Sequence, residues 1–178
     1  MPLRVLLEGR PGAGKTTVAA RLADLLLERG IDVAGFVTHE VRERGRRVGF
    51  AVERLDGRQR GTLAHVELPG PPRVGKYGVD LEALERVALP ALLGPPKRSV
   101  VVLDELGKME LASEAFREAA LRLFDASVDV VATAHVFRHP FTDALKRRPD
   151  VERLQVTRAT RTALPEHLAE RLAAASRG

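Results

Sequence analysis

Cysteine, tryptophan and asparagine are absent from these 178 residues, tyrosine occurs once, and lysine only five times against 24 arginines. Without cysteine there is neither a disulfide framework nor a thiolate metal site. Aromatic residues make up 4% of the chain, too few for the stacking platforms that single-stranded nucleic acids require. No apolar run reaches the roughly 18 residues that a membrane helix needs. An apolar strand pattern begins almost at Met1, leaving no stretch with the layout of a signal or transit peptide, so a cytoplasmic protein is expected. The net charge of +5 suits anionic partners. Its arginines are scattered rather than clustered, so nucleic acid is not expected among those partners.

What is present is a globular composition, with 44% hydrophobic and 30% charged residues. This length predicts a single domain over residues 1–178, large enough for a single core; a monomer is expected. The chain is organised around Gly9-Arg10-Pro11-Gly12-Ala13-Gly14-Lys15-Thr16-Thr17, which fits the phosphate-binding P-loop G-x-x-x-x-G-K-[ST]. The apolar run Leu3 to Glu8 precedes it, and Val18, Leu22, Leu25 and Leu26 follow at helical spacing, so the loop joins a strand to a helix. Gly9, Gly12 and Gly14 let backbone amides close around phosphate at the positive end of that helix. Lys15 is expected to reach the β- and γ-phosphates, and the Thr16 hydroxyl to ligate Mg²⁺.

Further along, Ile31 to His39 predicts a second strand, and Arg46 to Val66 a hairpin turning at Asp56-Gly57. Pro69 to Gly78 reads as loop, and Asp80 and Ser113 as caps of two helices. Ser99 to Leu103 is a β-branched run of the kind buried on both faces of a parallel sheet. Further strands are expected at Asp129 to His135 and Glu152 to Val156, with helices over Pro140 to Arg147 and Leu164 to Ala174. The alternation predicts a three-layer α/β fold of P-loop NTPase type. Its central sheet is mainly parallel with an antiparallel hairpin insert near residues 46–66, and helices cover both faces.

The strand ending in Asp104-Glu105 supplies the second half of the site. Asp104 is placed to hold Mg²⁺, and Glu105 to orient or deprotonate the attacking water. The run Val101, Val102, Leu103, Asp104, Glu105, Leu106, Gly107 and Lys108 is assigned with the P-loop to nucleotide binding. Lys108, Arg138 and Arg161 are candidate cations for the transferred phosphoryl group. His39, His135 and His139 match no zinc-ligand spacing and read as strand-end residues.

Together these segments resemble the thermophilic, or cancer-related, nucleoside-triphosphatase family (THEP-type NTPases). The matching runs are the P-loop, G-K-Y-G-V-D from Gly75, D-E-L-G-K-M-E from Asp104, A-T-A-H-V-F-R-H-P-F from Ala132 and V-T-R-A-T-R-T-A-L-P from Val156. The resemblance implies Mg²⁺-dependent hydrolysis of ATP, GTP, CTP and UTP to diphosphate and phosphate, with little base preference. It places phosphate contacts on Gly9 to Thr17, the metal on Asp104 and the general base on Glu105. Where the family usually carries Asn-Arg after the last strand, this chain has Thr160-Arg161.

Three other readings share the P-loop. In a small-molecule or nucleotide kinase the segment Arg138 to Arg148 would be an arginine lid, but no insert looks large enough for an acceptor pocket. Asp104-x-x-Gly107 also satisfies the D-x-x-G of GTPase switches, yet a chain without asparagine lacks the guanine-reading N-K-x-D. A nucleic-acid-binding ATPase module would need a basic or aromatic cluster that the sequence does not contain.

Overall fold

The computed structural model describes residues 1–177. The chain runs β1 (Arg4–Glu8), α1 (Lys15–Glu28), β2 (Val33–Glu43), β3 (Arg46–Arg54), β4 (Arg60–His65), β5 (Arg73–Val74), β6 (Tyr77–Val79) and α2 (Leu81–Leu93). It continues with β7 (Val100–Leu106), a 3-10 turn (Glu110–Ala112), α3 (Glu114–Asp125), β8 (Asp129–Ala134), α4 (Pro140–Lys146), β9 (Glu152–Gln155) and α5 (Leu164–Ser176). The strands form one sheet in the order β5-β6-β4-β3-β2-β7-β8-β1-β9. From β2 to β9 neighbours are parallel; from β2 to β5 they are antiparallel. This is the mixed, three-layer α/β architecture expected.

Period-two alternation divides the core into two. Leu6 of β1 and Val101 and Leu103 of β7 face α2 and α3, packing with Leu84, Val87, Phe116 and Phe124. Val5, Leu7, Val100 and Val102 face the opposite layer, against Val18, Leu22 and Leu26 of α1 and Leu168 and Leu172 of α5. The middles of the central strands (Val5–Leu7, Val100–Leu103 and Val130–Ala132) are apolar at every position because both of their faces are covered. The expected caps form: Asp80 Oδ1 accepts from the Ala83 amide at 2.9 Å, and Ser113 Oγ from the Phe116 amide at 3.0 Å.

Three local expectations are corrected. The second strand is longer than Ile31 to His39: β2 pairs with β7 only over Val33–Phe36, then runs on to Glu43 paired with β3 alone. It turns into β3 through Arg44-Gly45, both at positive φ (47° and 77°), a two-residue turn whose twist suits an antiparallel ribbon. The segment Pro69 to Gly78 is not all loop, since β5 and the start of β6 form a short hairpin across Gly75-Lys76. The antiparallel insert therefore extends beyond residues 46–66, from the second half of β2 through β6. It stands as a wall over the carboxyl edge of the parallel strands.

Candidate active site

The carboxyl ends of β1, β7 and β8 lie side by side, because β8 pairs with both others. Ligand sites in open parallel sheets form at such an edge. Here the P-loop, the end of β7 and the antiparallel ribbon enclose a cleft of about 980 Å³. Gly14 caps α1 in the left-handed region, at φ 105°, so the loop turns directly into the helix N-terminus. A Cβ on Gly9 would come within 2.9 Å of the Val156 carbonyl oxygen, which keeps the loop close to the end of β9.

Lys15 is buried in the crook of its own loop. Its Nζ donates to the Gly9 carbonyl at 2.6 Å and the Arg10 carbonyl at 3.4 Å, and lies 3.9 Å from Glu105 Oε2. Asp104 is 1% exposed. Its Oδ1 accepts from the Thr133 hydroxyl at 2.7 Å, whereas Oδ2 is buried with no hydrogen-bond partner among the described residues. Burial pushes the Asp104 carboxyl up, opposed by the hydroxyls of Thr133 and Thr16 and by the charge of Lys15. An uncompensated buried carboxylate oxygen is costly. With Thr16 lining the same cleft, the hard oxygen donors fit a small divalent cation such as Mg²⁺.

Glu105 is half-buried beside this pair. Burial raises its pKa, Lys15 pulls it down, and the negative charge of Asp104 adds to the rise. Glu110 closes the floor: it is buried and held well above the usual carboxylate range, first by burial and then by Glu105. Its Oε2 accepts from the Gly107 amide at 3.2 Å.

The remaining predicted residues divide. Arg10, Pro11, Gly12, Gly14, Thr17, Gly107 and Lys108 line the cleft with those above. Lys108 is exposed, its Nζ 4.8 Å from the centre of the Phe137 ring. Val101, Val102, Leu103 and Leu106 are wholly buried in β7; they hold Asp104 in place and are not brought to the cleft. Ala13 and Gly9 shape the loop from behind. Arg161 packs on the loop, its Cδ 3.2 Å from where a Cβ on Gly14 would sit. Beside it Thr160 braces the turn, Oγ1 accepting from the Thr157 amide at 2.9 Å and donating to the Gln155 carbonyl at 2.7 Å. Arg138 is 92% exposed and paired with Asp143 at 3.0 Å, outside the cleft lining.

Several lining residues were not foreseen. His135 ends β8 between the P-loop and Asp104 and is 4% exposed. Its Nδ1 accepts from the Phe137 amide at 3.0 Å, so the neutral ring carries its proton on Nε2. That buried Nε2 has no partner among the described residues. Burial, then the charges of Lys146 and His139, lower its pKa and keep the ring neutral. Thr38, Phe50 and Tyr77 come from the ribbon. Only strand order, invisible in a pattern of residues, brings these positions to the P-loop.

A family model described as NTPase matches residues 4–169. This chain belongs to that NTPase family. Among its relatives is the nucleoside-triphosphatase THEP1 of Thermofilum pendens, 46% identical over 172 residues, with 94% of each chain covered. The crystal structure of THEP1 from the hyperthermophile Aquifex aeolicus superposes with a TM-score of 0.85 at 30% identity, covering 96% of this chain and 99% of that one. The solution structure of a human cancer-related nucleoside triphosphatase gives 0.82 at 37% identity, with 96% and 97% covered. The layered fold described above is thus shared with both of these structures. No helix among the described residues is long and apolar enough to cross a membrane.

Proposed function

We propose that the chain is a Mg²⁺-dependent nucleoside-triphosphatase, converting ATP, GTP, CTP and UTP to the diphosphate and phosphate as a cytoplasmic monomer. The observation that carries this reading is the convergence of Lys15, Thr16, Asp104 and Glu105 on one cleft, with one carboxylate oxygen of Asp104 buried and unpartnered. Amides of Gly12 to Thr16 and the N-terminus of α1 hold the β- and γ-phosphates. Lys15 swings its ammonium from the loop carbonyls to the same oxygens. Mg²⁺ held by Thr16 and Asp104 supplies neutralisation of the charge shared by those phosphates.

Glu105 takes a proton from the attacking water. A bond forms from the water oxygen to Pγ while the bond from Pγ to the bridging oxygen breaks, and the diphosphate leaves with the electron pair. Its raised pKa suits Glu105 to that task near neutral pH, since a stronger base is the better proton acceptor. Arg161, packed on Gly14, is the favoured cation for stabilising the transition state, ahead of the more remote Arg138. The contacts are to phosphates, so base preference is shallow.

The test is phosphate release from each of the four triphosphates, with and without Mg²⁺ and with no acceptor added. Glu105→Gln keeps the side-chain length but cannot accept the proton, so kcat should fall about 10²- to 10⁴-fold. Mg²⁺ and triphosphate should remain bound. Unchanged turnover in that variant would remove Glu105 as the base and with it this mechanism.

A further inference from the structure

The cleft extends well beyond the P-loop. At about 980 Å³ it stands at the top of the roughly 300–1,000 Å³ range of pockets that enclose a single ligand. Its far end belongs to the antiparallel ribbon. Phe50 and Tyr77 meet edge to face with ring centres 5.4 Å apart. Arg47 lies over Phe50 at 5.2 Å, its Nε donating to the Tyr77 hydroxyl at 3.1 Å and its Nη1 to Glu40 at 3.0 Å. Lys76 Nζ lies 5.5 Å from the centre of the Tyr77 ring, so the pair forms a platform topped by the exposed Arg47 guanidinium, with Leu63 and Val74 beside it.

Strand order says which end of a bound triphosphate faces this platform. Arg161 and the β9 end lie on one side of the P-loop; β8, β7, β2 and β3 follow in turn on the other. Adjacent strands are about 4.8 Å apart, so β3 stands roughly 10 Å beyond β7 and Asp104. Glu105, positioned for attack on Pγ, lies between platform and P-loop. The platform is therefore on the attacking side of the γ-phosphate, opposite the leaving diphosphate.

Resting on the triphosphate site proposed above, we infer that this distal lobe binds a second substrate, a nucleoside-like planar alcohol, whose hydroxyl replaces water as the phosphoryl acceptor. Flat heteroaromatic rings stack on aromatic and guanidinium faces, and Glu40 and Arg47 offer an acceptor and donors to ring edges. The carboxylate of Glu105 disfavours a dianionic acceptor beside it, whereas a neutral hydroxyl needs the base that Glu105 provides. In the step, the acceptor oxygen bonds to Pγ, the bond from Pγ to the bridging oxygen breaks, and the diphosphate leaves with the electron pair. The hydroxyl proton passes to Glu105 and then to solvent.

The experiment incubates the full chain with Mg²⁺, γ-labelled ATP and adenosine, guanosine, cytidine or uridine in turn, and separates free phosphate from labelled nucleoside phosphate. At least one nucleoside should become labelled, with ATP consumed about tenfold faster than in its absence. Phe50→Ala, with Phe50→Leu to keep apolar volume if the first does not fold, should raise the nucleoside KM about tenfold and the ATP KM much less. Phosphate release without a labelled nucleoside overturns this inference and leaves the hydrolase reading standing. Labelled nucleoside without acceptor-free hydrolysis supports it and overturns that reading. A Phe50 variant that raises the ATP KM instead would make the lobe the seat of the triphosphate's own base, and would also overturn it.

Discussion

At the scale of single residues, His135 shows what a linear pattern conceals. Its imidazole is neutral, its tautomer is set by the Phe137 amide, and its Nε2–H is buried beside the P-loop with no partner among the described residues. A desolvated donor bordering the proposed phosphate site is worth more than one in water, because it needs no reorganisation as charge develops. His135→Leu is expected to lower kcat about 10- to 100-fold with a smaller change in KM. His135→Gln, which retains an N–H donor, should recover much of the loss. Steady-state kinetics on the two variants checks this, and equal loss in both would mean that the ring acts only by packing. Lys15, Thr16, Asp104 and Glu105 were legible in sequence because loop and strand end each carry their own local signature. Phe50 was not, since nothing local marks it, and His135 and Tyr77 fall in runs that match the family but carry no chemical signature of a site; each lies on a separate strand.

At the scale of elements, the end of β1 is tied down through Glu8. This side chain is 3% exposed and receives Lys146 of α4 at 3.2 Å, Arg153 of β9 at 3.0 Å and Gln155 at 2.8 Å. Burial alone would raise its pKa, but Arg153 and Lys146 outweigh that and hold it below the ordinary value. A carboxyl with a lowered folded pKa contributes stability above its unfolded value. That contribution is lost as pH falls through the folded one. Stability should therefore decline on acidification below about pH 4.3, the unperturbed value. Glu8→Gln should cost about 1–3 kcal/mol at pH 7 and flatten that part of the acid profile, as read from thermal midpoints at pH 7 and pH 3.5. A midpoint unaffected at pH 7 would mean the network contributes nothing. Elements themselves were well marked: long apolar or capped segments stand where periodicity puts them. The β2–β3 turn escaped notice because Arg44 takes a positive φ usually left to glycine or asparagine. The β5–β6 hairpin escaped because two or three residues cannot display alternation.

At the scale of the whole molecule, the P-loop joins β1 to α1 where both core faces meet the cleft, so a triphosphate bound there should stabilise the fold as a unit. Ligand that binds only the folded chain stabilises it by about 2.7 kcal/mol at 100 times Kd. For a chain of this size that corresponds to a rise of roughly 5–10 °C in Tm. Mg²⁺ with a non-hydrolysable triphosphate should give such a rise, and Lys15→Ala should abolish most of it along with turnover. A full rise in that variant would place the nucleotide elsewhere. The two halves of the sheet are joined at β2, and there Gly35 sits at φ 117° with its partner Val102 so close that a Cβ would fall 1.8 Å from the Val102 carbonyl oxygen. One hydrogen atom of space is thus the clearance at the pivot of the sheet. A methyl group at Gly35 would lever the ribbon away from β7 and open the cleft from its hinge, disabling the chemistry while leaving every reacting group in its own element intact.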